Sequence, residues 1–316
     1  MRSPRVVALG GGHGLFATLT ALRSITSDIT AVVTVADNGG SSGRLRDEFP
    51  IIPPGDLRMA LAALCGDDEW GRSWAEIMQY RFTSDGALNG HAVGNLLLAA
   101  LWDRDEDPVA GLDRVGALLK VVGRVLPMAS QPLDIQATFL DNGVEKTVRG
   151  QKEVATTTGH FQSLELIPAD AQSRSETLDA IAQAEWITMG PGSWISSVLP
   201  HLLLPQQREA LIASKAKKIL LLNLDDRQSG EFAGLSALEH INAVQKLAPN
   251  LHFDFVVADS SLVEKADSAA LLREKVSTQG GELLVQDLRL AGEPIHHDTK
   301  KLASLLAHIA QQTLVG

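Results

Sequence analysis

The stretch "RVVALGGGHGLFATLTALRSITSDITAVVTVADNGGSSGRLR", residues 5–46, decides the fold class. Residues 5–9 form a short apolar run that ends in Gly10-Gly11-Gly12-His13-Gly14, after which Leu15, Leu19 and Leu22 recur at helical spacing. A second run, "ITAVVTVAD" at 29–37, is almost continuously apolar, as a parallel strand covered on both faces must be. Strand, glycine loop, helix and strand make a right-handed βαβ unit. Its end poses a question, because Asp37-Asn38-Gly39 is hairpin-turn chemistry and the same tripeptide recurs as Asp141-Asn142-Gly143. Around 141–143 "LDIQATFL" and "VEKTVR" alternate apolar with polar residues, whereas "SSGRLRDEF" after the first copy does not. The second copy therefore reads as a hairpin turn and the first as a loop.

The α/β rhythm continues along the chain. "PPGDLRMALAAL" (53–64) and "NGHAVGNLLLAALW" (89–102) open helices, the first with Asp56 as its expected N-cap. "EWITM" precedes Gly190-Pro191-Gly192-Ser193 and a helix through about 204, with Pro200 and His201 expected to interrupt "WISSVLPHLLLP". Strands at 217–224, 252–259 and 282–288 and helices near 234–247 and 298–313 complete the pattern. The expected architecture is a mostly parallel sheet with helices on both faces and an antiparallel hairpin insertion near 133–149, within one domain spanning 1–316.

Composition narrows the function. The 316 residues are 45% hydrophobic and 21% charged, an ordinary globular balance, and the formal net charge of −10 argues against general affinity for nucleic acid. No run reaches the ~18–20 apolar residues of a membrane span, and the apolar stretch near the amino terminus is too short for a signal peptide. Cys65 is the only cysteine, so an intramolecular disulfide and a four-thiolate zinc site are both excluded and a cytoplasmic location is expected. His296-His297 and the other histidines lack metal-ligand spacing, and no zinc is assigned.

Three strand-to-helix junctions carry the candidate chemistry. Gly10 and Gly12 fit the first two positions of a dinucleotide fingerprint, but the third falls on Leu15, and a plain tight turn would use the same glycines. Asp37 stands where nucleotide folds hold a ribose hydroxyl, followed by Asn38-Gly39-Gly40-Ser41-Ser42-Gly43 and Arg44, a run of backbone donors and hydroxyls that could instead cap a helix. Gly190, Gly192 and Ser193 form the third junction, with no lysine and so no Walker loop. Asp56, Arg58, Arg81, His91 and Asn95 are either ligand contacts or structural. Convergence of three such junctions on one sheet edge would surround a crevice with phosphate-binding groups.

In order along the chain, "ADNGGSSGRLR", "PPGDLR", "YRF", "GHAVGNLLLAAL", "VLP" and "GPGSWISSVLP" resemble the CofD-like superfamily, and within it the YvcK-type gluconeogenesis-factor branch, over most of residues 5–260. The resemblance implies a Rossmann-like α/β fold. It also implies ligand contacts from Gly11, Gly12, His13 and Gly14, with His13 in place of the usual threonine, from Asp37 through Arg46, and from Asp56 and Arg58. Gly190, Gly192 and Ser193 match a third loop, with Trp194-Ile195 in place of Leu-Tyr, and "NLDDRQSGEF" matches a looser element through Asn223, Gln228, Gly230 and Glu231, with His240 following it.

By that resemblance the protein is a cytoplasmic regulator that binds a UDP-sugar such as UDP-N-acetylglucosamine and supports cell-wall synthesis and cell shape during gluconeogenic growth. The competing expectation is a CofD-type transferase, in which Asp37 or Asp56 holds Mg²⁺ while a phospholactyl-type group passes from a nucleotide diphosphate to a deazaflavin. A dehydrogenase using a dinucleotide stands third. A binding protein is favoured over an enzyme, no catalytic residue is assigned, and cell-wall synthesis proteins or a second copy of the chain are the candidate protein partners.

Overall fold

The computed structural model describes residues 3–157, 159–224, 236–264 and 266–314. β1 (Val6–Gly10) runs into α1 (Gly12–Leu22), and β2 (Ile29–Val33) lies parallel to β1 with Ala8 opposite Ala31. Five helices follow, α2 (Gly40–Glu48), α3 (Pro54–Ala63), α4 (Glu69–Gln79), α5 (Val93–Asp105) and α6 (Pro108–Leu119), before β3 (Arg124–Pro127) joins β2. β4 (Asp134–Asp141), β5 (Val144–Arg149), α7 (Gln151–Thr156) and β6 (His160–Ile167) come next, then α8 (Ser175–Gln183) and β7 (Trp186–Met189). The last part holds α9 (Pro200–Leu203), α10 (Pro205–Ala213), β8 (Lys217–Leu221), α11 (Ala237–Leu247), β9 (Phe255–Asp259) and α12 (Ala266–Thr278). β10 (Glu282–Gln286), a short hairpin of β11 (Arg289–Leu290) and β12 (Glu293–His297), and α13 (Thr299–Leu314) end it.

Seven strands form one parallel sheet in the order β10-β9-β8-β7-β1-β2-β3. β1 is central, and its Val6, Val7, Ala8 and Leu9 are buried, as their unbroken apolar run requires. From β1 the chain steps towards β2, and from β7 it steps the opposite way towards β8. Right-handed crossovers in opposite directions put α1 and the α9–α10 pair on opposite faces of the sheet. α1 packs against α3 and α13 on its side. No helix among the described residues is long and apolar enough to cross a membrane.

The repeated tripeptide separates as expected. Asn142 and Gly143 take φ of 50° and 80°, the left-handed pair of a type I′ turn, and β4 and β5 pair antiparallel on either side. Asp37-Asn38-Gly39 forms no hairpin: Gly39 has an extended φ of −93° and N-caps α2. The hairpin is also part of a larger unit, since β6 pairs with β4 to make a three-stranded sheet that buries Ile135, Ala137 and Phe139 against Leu164 and Leu166. β5, with Glu145, Lys146 and Arg149, is its charged and exposed edge.

Two local expectations are corrected. Pro53 is the N-cap of α3 and Asp56 lies inside the first turn, because two consecutive prolines already supply the fixed φ and missing N–H that suit a helix start. Pro200 and His201 do not interrupt the third junction's helix. A wide turn over Trp194–Val198, in which Val198 N–H reaches back five residues to Ser193 O, leads through Leu199 directly into α9, where Pro200 occupies the first position. Cys65 is a core residue, its thiol donating to Leu61 O and pushed up to a pKa of about 11 by burial.

Gly143→Ala is expected to cost about 1 kcal/mol, because alanine is disfavoured at positive φ, and this reads out as a lower urea midpoint with an unchanged slope.

Candidate functional site

β1 is hydrogen-bonded to β2 on one side and to β7 on the other, so chain order reverses between β1 and β7. Open parallel sheets place their ligand crevice beyond the carboxyl ends of the strands at such a reversal. Here the two strand ends are the first and third glycine junctions, and they touch. A Cβ on Gly14 would stand 2.1 Å from Pro191 O, so only glycine permits the approach. Gly190 N–H donates to Leu9 O at 3.1 Å, and Thr18 Oγ1 donates to Gly190 O at 3.3 Å. From the end of β8, Asn223 grips Gly192 at both ends, accepting from its N–H and donating to its carbonyl, each at 2.9 Å. Beneath them, buried His201 faces Gly10 O at 3.4 Å through Nε2, while Gln207 Nε2–H donates to its Nδ1 at 2.7 Å. Burial holds His201 at a pKa of about 4, so the imidazole is neutral and Gln207 selects the tautomer that points a proton at Gly10.

A cavity of about 820 Å³ opens over these loops. Of the residues expected at the site, Gly11, Gly12, His13, Gly14, Asp37, Asp56, Gly192, Ser193 and Asn223 line it, and Gly190 lies just beneath. The amino end of α1 faces it with no acidic residue in its first turn and no cap from Gly11, while Asp56 reaches in from α3 to accept from Gly12 N–H, so the positive end of the helix dipole meets the cavity with one carboxylate already against it. Gly11 is held close by its surroundings, since a Cβ there would meet Asp56 Oδ2 at 2.4 Å and Thr34 Cγ2 at 2.6 Å.

The cavity's charged walls are acidic. Among the described residues Asp37, Asp56 and Glu293 line it, no lysine or arginine does, and the remaining titratable lining groups are histidines. Burial, then repulsion from Asp37, raises the Asp56 pKa to about 7, against the opposing pull of the Gly12 N–H and of Arg58. His297 and His240 are both lowered to about 4, chiefly by burial, and His240 stacks on Trp194 with ring centroids 4.5 Å apart. His13 is lowered by burial and by the neighbouring His296 and Arg58. An anionic ligand would therefore be held by backbone N–H groups and helix ends, with a proton or a cation relieving the carboxylates. Among the described residues no cluster of three or more potential ligands stands ready for a metal.

The other expected residues lie outside that lining. Asn38 reaches α7, accepting from Lys152 N–H and donating to Glu153, each at 3.2 Å. Gly39 and Gly40 begin α2, and Ser42 Oγ accepts from Gly55 N–H at 3.0 Å. Arg58 Nε donates to Asn95 Oδ1 at 2.8 Å, and Asn95 Nδ2 donates to Ser41 Oγ at 3.0 Å. Ser41 Oγ then lies 3.0 Å from His91 Nδ1, extending the buried hydrogen-bond chain. Arg44 donates to the carbonyls of Ala87 and Asn89. Gln228, Gly230 and Glu231 lie outside the described residues.

Sequence reasoning missed the β11–β12 hairpin, which brings Leu290, Glu293, Ile295 and His296 to the cavity. Its anchor is Arg289, whose Nε donates to buried Asp259 at 3.1 Å and whose Nη2 donates to Leu224 O at 2.7 Å. The adjacent His296-His297 pair was the available signal, but a search for metal spacing passes over it. Ser196 and Ser197 of the third junction's "GPGSWISSVLP" also line the cavity, and Phe16 and Gln151 do so without any motif to mark them.

A family model described as 2-phospho-L-lactate transferase CofD matches residues 6–315. The chain belongs to the CofD family. Within that family a relative from Mycobacterium tuberculosis is 45% identical over 305 residues, covering 95% of this chain and 89% of that protein. The gluconeogenesis factor of Bacillus subtilis is 33% identical over 327 residues, covering 98% and 99%. A crystal structure of a UPF0052 family member from Bacillus halodurans matches with a TM-score of 0.82 at 30% identity, covering 97% of this chain and 99% of that one. CofD-family membership and the likeness to gluconeogenesis factors thus extend across the sheet and the β11–β12 hairpin alike.

Asp56 gives the site a pH signature. Its folded pKa is raised, so its contribution to stability is full below the unfolded value near 4 and is lost as pH rises through about 7. Asp56→Asn, which keeps an acceptor for Gly12 N–H, is expected to be more stable than the parent by about 1 to 3 kcal/mol at pH 8 and nearly equal to it at pH 4. Thermal melts across that range check it.

Proposed function

We propose that the cavity at the β1/β7 reversal binds a nucleotide sugar of the UDP-N-acetylglucosamine type, and that the protein is a cytoplasmic regulator whose occupancy reports cell-wall precursor supply during gluconeogenic growth. The observation that carries this is the convergence of the β1, β7 and β8 strand ends on one cavity, with the amino end of α1 directed at it. Those are the groups a diphosphate needs, and about 820 Å³ is in the range of pockets that enclose ligands larger than a single phosphate. The relatives named gluconeogenesis factor support the regulatory part. Partners in cell-wall synthesis would then read the loaded state.

Isothermal calorimetry with UDP-N-acetylglucosamine tests this reading. A one-to-one complex is expected, and Asn223→Ala, which frees the Gly192 peptide from its clamp, should weaken it at least tenfold. No heat from any UDP-sugar or dinucleotide at millimolar ligand would overturn it.

A second reading is favoured by one observation, the carboxylates of Asp37 and Asp56 beside the glycine loops. Mg²⁺ is commonly held by one or two carboxylates together with phosphate oxygens, and these two residues fit that role. Bound there, Mg²⁺ would offset charge on a nucleotide diphosphate. The chain's own part would be positioning, with α1 and the Gly190–Ser193 loop orienting the diphosphate and the cavity wall excluding water. Mass spectrometry of mixtures with a phospholactyl nucleotide donor and a deazaflavin separates the two readings. A transferase forms product that Asp37→Ala abolishes, whereas a binding protein forms none and loses only affinity in that variant.

A further inference from the structure

α4 is apolar on more than one side. Gly71, Met78 and the partly buried Trp74 turn towards the core, but Trp70 and Ile77 stand on the side turned to solvent, 43% and 40% exposed, and Tyr80 continues their line at the C-cap, 57% exposed. Positions 70, 74 and 77 follow helical spacing, so these side chains make one ridge, with the Trp70 and Trp74 rings 5.8 Å apart. Such a run of exposed apolar surface is costly to hydrate and marks a contact site. None of its exposed residues lines the main cavity.

A groove lies next to the ridge. Lys120, the C-cap of α6, holds its Nζ 5.2 Å from the centre of the Trp70 ring, and it also lines a second cavity of about 230 Å³ between α6 and β3. Leu61, Leu112 and Val125 give that groove an apolar lining, and Gly116 contributes no side chain to it. Most charged groups nearby are already matched. Arg124 donates two hydrogen bonds to Asp113, Arg23 pairs with Asp67, and Asp68 caps α4 by accepting from Gly71 N–H. Among the described residues exposed Lys120 and exposed Glu69 form no ion pair.

We infer that this face joins two copies of the chain in a two-fold dimer, in which the Trp70 end of each ridge enters the other copy's groove. A two-fold interface must be complementary to itself, and a ridge set beside a groove meets that condition. Charge complementarity points the same way. Trp70 carries the adjoining Glu69 towards Lys120 of the other copy, so the two unpaired charges of opposite sign meet twice across the axis. At about 150–250 Å² for a buried aromatic side chain, the exposed parts of Trp70, Ile77 and Tyr80 supply on the order of 300 Å², an apolar centre for the ~800 Å² per partner of a standard interface. The dimer is independent of the nucleotide-sugar reading and needs no occupant in the main cavity.

Sedimentation velocity of this chain at micromolar concentration tests the inference. The parent should sediment as a dimer, and Trp70→Ala should weaken association at least tenfold. Lys120→Glu, at an exposed position, should do the same with an unchanged circular dichroism spectrum. Adding Glu69→Lys to Lys120→Glu should restore association to within threefold, because the reversed charges face each other again across the axis, whereas a folding defect would not be rescued in this way. A monomeric parent, which would leave the ridge to a different protein, overturns the inference. So does a dimer that Trp70→Ala and Lys120→Glu leave unchanged, which would place the interface on another face, or a double variant that stays as weak as Lys120→Glu. Failure to bind UDP-N-acetylglucosamine bears only on the cavity.

Discussion

The close approach of two backbones at the β1/β7 reversal governs this structure. With the Gly14 Cβ position 2.1 Å from Pro191 O, the helix that leaves β1 and the loop that leaves β7 pack as bare main chain. The consequences spread from there. The amino end of α1 is brought to the third junction, Asn223 can span to Gly192 from the next strand, and His201 can underpin Gly10 from the opposite face of the sheet. A side chain at that contact would separate the strand ends that together make the cavity.

Charge is distributed around this contact in two compartments. On the cavity side, Asp37 and Asp56 stand close enough to repel, and a backbone N–H of α1 holds one of them. On the α3–α5 side, the Arg58 guanidinium is buried, and a hydrogen-bond chain through Asn95 and Ser41 connects it to α2. α3 carries one residue of each kind two positions apart, Asp56 and Arg58, and residues two apart in a helix point to roughly opposite sides of its axis. That is why "GDLR" contributes to both compartments.

Much of this was legible in the sequence. Continuous apolar runs marked the parallel strands, and alternation around 133–149 marked the hairpin, so the two Asp-Asn-Gly copies could be told apart from their flanks alone. The residues expected at the site divide more finely in space than in sequence. Asp37 lines the cavity, but Asn38 beside it binds α7 and Ser41 joins the Arg58 chain, because each position along a turn into a helix points a different way. Asp56 looked like a cap because local rules place an acidic residue there, but Pro53-Pro54 had already begun the helix.

The sequence by itself determined the element types, the parallel sheet and the glycine junctions, since these depend on short-range periodicity and on backbone freedom at single positions. Tertiary structure alone decided which junctions meet and what else joins them. The β11–β12 hairpin reaches the cavity through the Asp259–Arg289 pair, and Arg58 donates to Asn95 on α5. Such contacts join residues far apart along the chain. Their energies depend on burial and distance in the folded state, which no local pattern encodes.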